Sequence, residues 1–121
     1  MSAPIPRELR REVRLWAAQR ATAAVLAFCV VVHLATIIYA VQGGLTAAEI
    51  LARTRGNVAW AAFYVVFVFA AAVHSAIGLR TIAAEWAGWR GSSAEVAIMV
   101  FGATLTILGL RAVAAIFGAG G

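Results

Sequence analysis

The sequence has little charge and no lysine: 12% of its 121 residues are charged, and all ten basic residues are arginines. Hydrophobic residues make up 64% of the chain, which is more apolar surface than a soluble domain of this length could bury. The shortage of charge therefore excludes an ordinary soluble globular protein and indicates an integral membrane protein.

Cysteine is scarce as well. Cys29 is the single cysteine, so the chain cannot form an internal disulfide, and one thiol does not make a cluster or zinc site. We interpret Cys29 as a small apolar core residue. The sequence also has no nucleotide-binding fingerprint.

Acidic residues are missing from the apolar segments. Residues 21–48 and 56–79 carry no charge, and residues 96–118 contain only Arg111. A proton-coupled or cation-coupled pump usually needs a carboxylate inside the bilayer, so this absence counts against a small multidrug-type transporter. Because about 20 apolar residues suffice to cross a bilayer, the three segments predict three transmembrane helices.

We therefore predict an all-α integral membrane protein with spans at residues 21–42, 57–80 and 95–118, forming one membrane domain over residues 21–118. Residues 1–20 are expected to be a cytoplasmic segment containing a basic amphipathic helix, which lies at the membrane surface or against a cytoplasmic partner. Thr46 and Glu49 have the spacing of a capping box, which predicts a short helix between the first two spans.

The distribution of arginine predicts the orientation. Seven arginines lie before the first span or between the second and third spans, and three lie on the opposite side. The positive-inside rule then places the N-terminus in the cytoplasm. The formal net charge of +5 reflects this topology and contact with acidic lipid, so it gives no reason to invoke nucleic acid.

The only two histidines, His33 and His74, both fall within predicted spans. Ionisable groups in hydrocarbon usually mark a function, although a neutral histidine can also simply hydrogen-bond a neighbouring helix. Imidazole is an axial ligand of haem iron, and helix bundles hold cofactors between their helices. One histidine on each of two neighbouring spans therefore favours metal or haem ligation.

Two residues that follow His74 fit a haem. Gly78 lies one turn further on the same helical face and would give clearance for a flat macrocycle. Arg80 lies about 9 Å further along the helix axis, within reach of a haem propionate near the interface. Taken singly, Gly78 also suits close helix packing, and Arg80 also suits an ordinary interfacial anchor.

The segment His74-Ser75-Ala76-Ile77-Gly78-Leu79-Arg80, followed by Glu85, resembles a motif of the cytochrome b anchors of succinate dehydrogenases and fumarate reductases. That motif is H-x-x-x-G-[IL]-R with an acid five residues later. In the family the histidine is an axial ligand of haem b, which implies that His74 binds the haem iron. This sequence has Thr81 where a second histidine is frequent, and Glu85 where aspartate is usual.

His33 resembles the branch of the family in which the first two spans both supply haem ligands. From the cytoplasmic edge, His33 is about 20 Å deep and His74 about 9 Å deep, which favours two haems at different depths. The resemblance thus implies one or two haems b shared with a second anchor chain. It also implies a flavoprotein and an iron–sulfur subunit as partners, and a bacterial cytoplasmic membrane as the location.

The resemblance further implies a quinone site at the cytoplasmic interface, where we predict Trp16, Arg20, Arg80, Glu85 and Trp86 to lie at one level. Arginine and tryptophan are also common there as simple membrane anchors. Two other functions stay open from the sequence: a haem-free structural anchor or assembly subunit, and a small channel or carrier.

Overall fold

The computed structural model describes residues 3–118, and this part of the chain forms four α-helices. Helix α1 is Arg7–Gln42, α2 is Ala47–Thr54, α3 is Val58–Trp86 and α4 is Ser92–Phe117. Helices α1, α3 and α4 are each long and apolar enough to cross a membrane. The predicted all-α fold with three membrane-spanning helices is confirmed, and the chain is a multi-pass membrane protein.

Helix α1 differs from the expected arrangement at its start. The amphipathic segment and the first span form one continuous helix, because no proline or glycine occurs between Pro6 and Gly43. Its 36 residues measure about 54 Å, well beyond the roughly 30 Å thickness of the hydrocarbon core. The first turns of α1 therefore extend beyond the hydrocarbon core. The boundary predicted at residue 20 falls inside this helix, where the composition changes from basic to apolar.

The connection between α1 and α3 contains the predicted capping box. The Thr46 hydroxyl accepts from the Glu49 backbone N–H at 3.2 Å, and the Glu49 carboxylate accepts from the Thr46 N–H at 3.1 Å. Asn57 then caps α3, since its side-chain oxygen accepts from the Trp60 N–H at 3.1 Å. These side chains satisfy backbone donors that the first turn of each helix leaves free.

Helix α3 lies in the middle of the bundle, because α1 and α4 both pack against it. The start of α1, the end of α3 and the start of α4 meet at one end, which we call the N-terminal end; α2 lies at the opposite end. The buried apolar residues of the described chain are small: Cys29, Ala70, Ala72, Ala94 and Val113. Small side chains allow close approach of helix backbones, as is usual for helices packed in a membrane.

Helices α3 and α4 pack closely at Gly109. A Cβ atom built on Gly109 would lie 2.5 Å from Cγ1 of Val68, which is too close for any real contact. A Cβ atom built on Gly102, two turns earlier in α4, would lie at an ordinary 3.6 Å from the Cβ of Ala76. The helix pair therefore requires glycine at residue 109 and tolerates a methyl group at residue 102.

We expect the free energy of unfolding to be about 1–3 kcal/mol lower in Gly109→Ala than in Gly102→Ala. The methyl group at residue 109 must displace the stiff β-branched side chain of Val68. Gly102→Ala is the matched control, since both substitutions bring the same gain in helix propensity. Thermal unfolding in detergent, followed by circular dichroism, measures the difference. Equal midpoints would contradict this packing, whereas adding Val68→Ala should recover part of the loss.

Candidate functional site

His74 in α3 faces α1, where its Nδ1 atom lies 3.3 Å from the hydroxyl oxygen of Thr22. That hydroxyl also donates to the backbone carbonyl of Ala18, one turn earlier in α1, at 2.8 Å. The interhelical hydrogen bond expected as the alternative role of a membrane histidine is therefore present at Nδ1. Within residues 3–118, Nε2 of His74 makes no hydrogen bond.

An open groove of about 360 Å³ lies beside His74 on the surface of the α1–α3 pair. Trp16, Gln19, Arg20 and Ala23 line it from α1, since residues three and four apart share one face of a helix. The Arg20 guanidinium lies 4.8 Å from the centre of the Trp16 ring in a cation–π contact. The structure thus brings three of the predicted site residues, His74, Arg20 and Trp16, into one groove.

Gln19 is the polar residue of this groove that was not predicted. Its amide occupies the space beside Gly78, because a Cβ atom built on that glycine would lie 3.5 Å from Gln19 Nε2. The Oε1 atom of Gln19 is buried and accepts no hydrogen bond in the described part of the chain. The spacing that could have identified Gln19 is its position three residues after Trp16, which places it on the same helical face.

Arg80 lies outside the His74 groove. Its guanidinium donates to Glu12 at 2.9 Å and to Glu95 at 3.2 Å, and Arg11 contacts Glu95 at 2.7 Å. These four residues form an ion network that joins α1, α3 and α4 at the N-terminal end. Arg80, which was predicted to reach a haem propionate, follows His74 by six residues, and this spacing turns the two side chains about 120° apart around α3.

Glu85 and Trp86 are also separated from His74. Glu85 lines a second, more polar groove of about 600 Å³ that it shares with Arg80 at the N-terminal end. Trp86 is 86% exposed and lines neither groove. The residues predicted for one quinone site are therefore divided among different surfaces of the bundle.

His33 lies toward the opposite end, edge-on to the rings of Tyr64 and Phe67, with ring centroids 5.9 and 5.6 Å away. It lines a largely apolar cavity of about 570 Å³ between α1, α2 and α3. Thr22, which contacts His74, precedes His33 by eleven residues, about 16 Å along α1. This separation is too large for His33 and His74 to bind the same iron atom.

The residues that the structure describes contain no group of three or more His, Cys, Asp or Glu side chains that could hold a bare metal ion. Haem iron has different needs, because the macrocycle supplies four of its ligands and the protein supplies the axial ones. His74 can therefore serve as one axial ligand without any further donor from this chain.

A family model described as the succinate dehydrogenase/fumarate reductase transmembrane subunit matches residues 8–111. The match extends from the first turn of α1 into the last third of α4 and includes both histidines. Comparisons with curated proteins and with solved structures give no match.

We expect Glu95→Gln to lower the free energy of unfolding by roughly 1 kcal/mol, because it removes the charge that Arg11 and Arg80 share. Glu85→Gln is the matched control, since Glu85 forms no ion pair within residues 3–118. Thermal unfolding at low and high salt measures the effect, which should shrink as salt screens these half-exposed charges. If both variants unfold at the same midpoint at low salt, the network does not hold the helix ends together.

Proposed function

Because the chain belongs to the family of succinate dehydrogenase/fumarate reductase transmembrane subunits, we propose that it is a haem b-binding membrane anchor of a succinate:quinone or quinol:fumarate oxidoreductase. In this role it contributes to electron transfer between an iron–sulfur subunit and membrane quinone, and a separate flavoprotein acts on the dicarboxylate. It lies in a bacterial cytoplasmic membrane with its N-terminus in the cytoplasm. The observation that carries the proposal is the His74 imidazole, held by Thr22 at the edge of an open groove.

The residues around His74 fit a haem. The groove is open on the outside of the α1–α3 pair, beside the His74 ring. Arg20 is the cation of the groove and suits a propionate, because a guanidinium matches a carboxylate in geometry as well as charge. Bound at His74, a haem would supply a centre that accepts and releases single electrons.

A second anchor chain would supply the other axial ligand of this haem, since His33 lies about 16 Å away along α1. The outer surface of α1 can receive such a chain. Phe28 and Val31 are each 66% exposed, and Leu34 is 54% exposed, in the helix half that follows the groove. An apolar surface of this kind suits a neighbouring helix as well as lipid. We propose His33 as the ligand of a second, separate haem.

The quinone site proposed here is smaller than the set of residues predicted from the sequence. Arg20 can donate hydrogen bonds to a quinone carbonyl, and Trp16 offers a flat apolar wall for the ring. Both line the His74 groove, so a quinone bound there would lie next to the haem ligand. Arg80, Glu85 and Trp86 lie on other surfaces, so the remaining walls of the site must come from the partner chains.

A haem-free structural anchor remains the second candidate, because one observation favours it. The Thr22–His74 contact already gives the imidazole a hydrogen-bond partner between two helices. A histidine used only for helix packing needs no more than that contact. The absorption spectrum of the complex distinguishes the two functions.

His74→Leu is expected to remove the reduced b-type absorbance of the haem bound at this level, because leucine keeps an apolar side chain and supplies no nitrogen ligand. The measurement is a dithionite-reduced minus oxidised difference spectrum of membranes containing the complex. Immunodetection of the chain in the same membranes shows whether the variant still inserts. An unchanged spectrum with normal insertion would contradict the assignment of His74 as a haem ligand.

In the same experiment His33→Leu should leave the His74 haem in place and remove a second haem. The wild-type complex should then approach two haems for each pair of anchor chains. If the haem content is near one per pair of anchor chains and does not change in His33→Leu, His33 binds no haem. Its role is then limited to packing against Tyr64 and Phe67.

Arg20→Ala is expected to lower quinone reduction by roughly tenfold or more, because it removes a charged hydrogen-bond donor of about 1.5–3 kcal/mol from the groove. Succinate-dependent dye reduction by the flavoprotein should stay at the wild-type rate. Arg14→Ala is the control, since it removes one charge from the same helix outside the His74 groove. Quinone turnover that is unaffected by Arg20→Ala would place the site on a partner chain or at the other end of the membrane.

A further inference from the structure

Thr22 has a hydroxyl with a single proton and three neighbours that could share it. The oxygen lies 2.8 Å from the Ala18 carbonyl, 3.1 Å from the Gln19 carbonyl and 3.3 Å from Nδ1 of His74. A carbonyl oxygen can only accept, and threonine inside a helix commonly donates to the carbonyl four residues earlier. The two shorter contacts therefore use the hydroxyl proton, and the oxygen has only lone pairs to offer His74.

This donor count determines the protonation of the imidazole. A neutral imidazole carries one N–H, and the ring nitrogen that faces a lone pair must be the one that carries it. The His74 proton therefore lies on Nδ1, which donates to Thr22. The other nitrogen, Nε2, then keeps its lone pair free, and that lone pair is what binds a metal.

We propose that Thr22 is a positioning residue that holds His74 in the Nδ1–H tautomer, so that Nε2 is the iron ligand. The role of Nε2 rests on the function proposed above, whereas the tautomer does not. Partners of this kind fix the ring orientation of a metal-binding histidine and raise the basicity of the ligating nitrogen. Thr22 is thereby assigned to the proposed haem ligand His74.

The tautomer can be measured without any haem. In a chain labelled with ¹⁵N-histidine and carrying His33→Leu, His74 is the only histidine, and its two nitrogen shifts in lipid bilayers show which one is protonated. We expect a protonated Nδ1 with Thr22, and the same result with Thr22→Ser, which keeps the hydroxyl. Thr22→Val keeps the shape and removes the acceptor, so the proton should move wholly or partly to Nε2. An Nε2–H tautomer in the chain with Thr22 would overturn the proposal.

The assembled complex gives a second readout. Thr22→Val should weaken haem retention at His74 by roughly tenfold or more, the usual scale for losing such a partner. It should also shift the midpoint potential upward, because a less basic imidazole stabilises the oxidised iron less. Thr22→Ser should restore both values toward wild type. If haem retention and potential are the same in Thr22→Val as in wild type, Thr22 does not position the ligand.

The two readouts also separate this inference from the proposed function. In one case the complex contains no haem, and His74 is in the Nδ1–H tautomer only when residue 22 carries a hydroxyl. This result overturns the haem-binding function and supports the Thr22–His74 assignment. A complex with haem lost in His74→Leu, and with His74 as the Nε2–H tautomer in the apo chain, supports the function and overturns the assignment.

Discussion

The packing of α1 and α4 on different sides of α3 determines where each polar side chain of this protein can go. On the α4 side, away from the Arg80–Glu95 ion pair at the N-terminal end, the contact is apolar and close, with Gly109 against Val68. On the α1 side it is polar, with Thr22 against His74 and Gln19 against Gly78. Since hydrocarbon offers no hydrogen bonds, polar side chains in a membrane must find partners in protein or ligand. The α1–α3 contact is therefore the side of the bundle that can carry chemistry.

The ion network at the N-terminal end of the bundle explains why the candidate site contains fewer residues than the sequence motif. Arg80 belongs to the motif, but Glu12 and Glu95 engage its guanidinium and bring three helix ends together. Arg20 is left as the cation beside His74. Arg80 thus forms ion pairs between helices, whereas Arg20 lines the groove beside His74, although both lie near the same end of the bundle.

Much of the fold could be predicted from single segments of the sequence. Uncharged apolar runs gave the three spans, and the Thr46–Glu49 spacing gave the capping box, because both depend on residues close together in the chain. The continuity of α1 was missed, since a change from basic to apolar composition does not break a helix. The partners of His74 and Arg80 were also missed, because they depend on the rotation of each helix about its axis. That rotation is determined by packing between helices, which a single helix pattern does not contain.

We propose that this chain uses His74 to hold a haem b at the α1–α3 surface of a complex with flavin and iron–sulfur subunits. Purification through an affinity tag on this chain, followed by subunit identification and a pyridine haemochrome assay, tests it most directly. We expect haem b in the same preparation as the flavoprotein, the iron–sulfur subunit and a second anchor chain. An intact, active complex that contains no haem would contradict it.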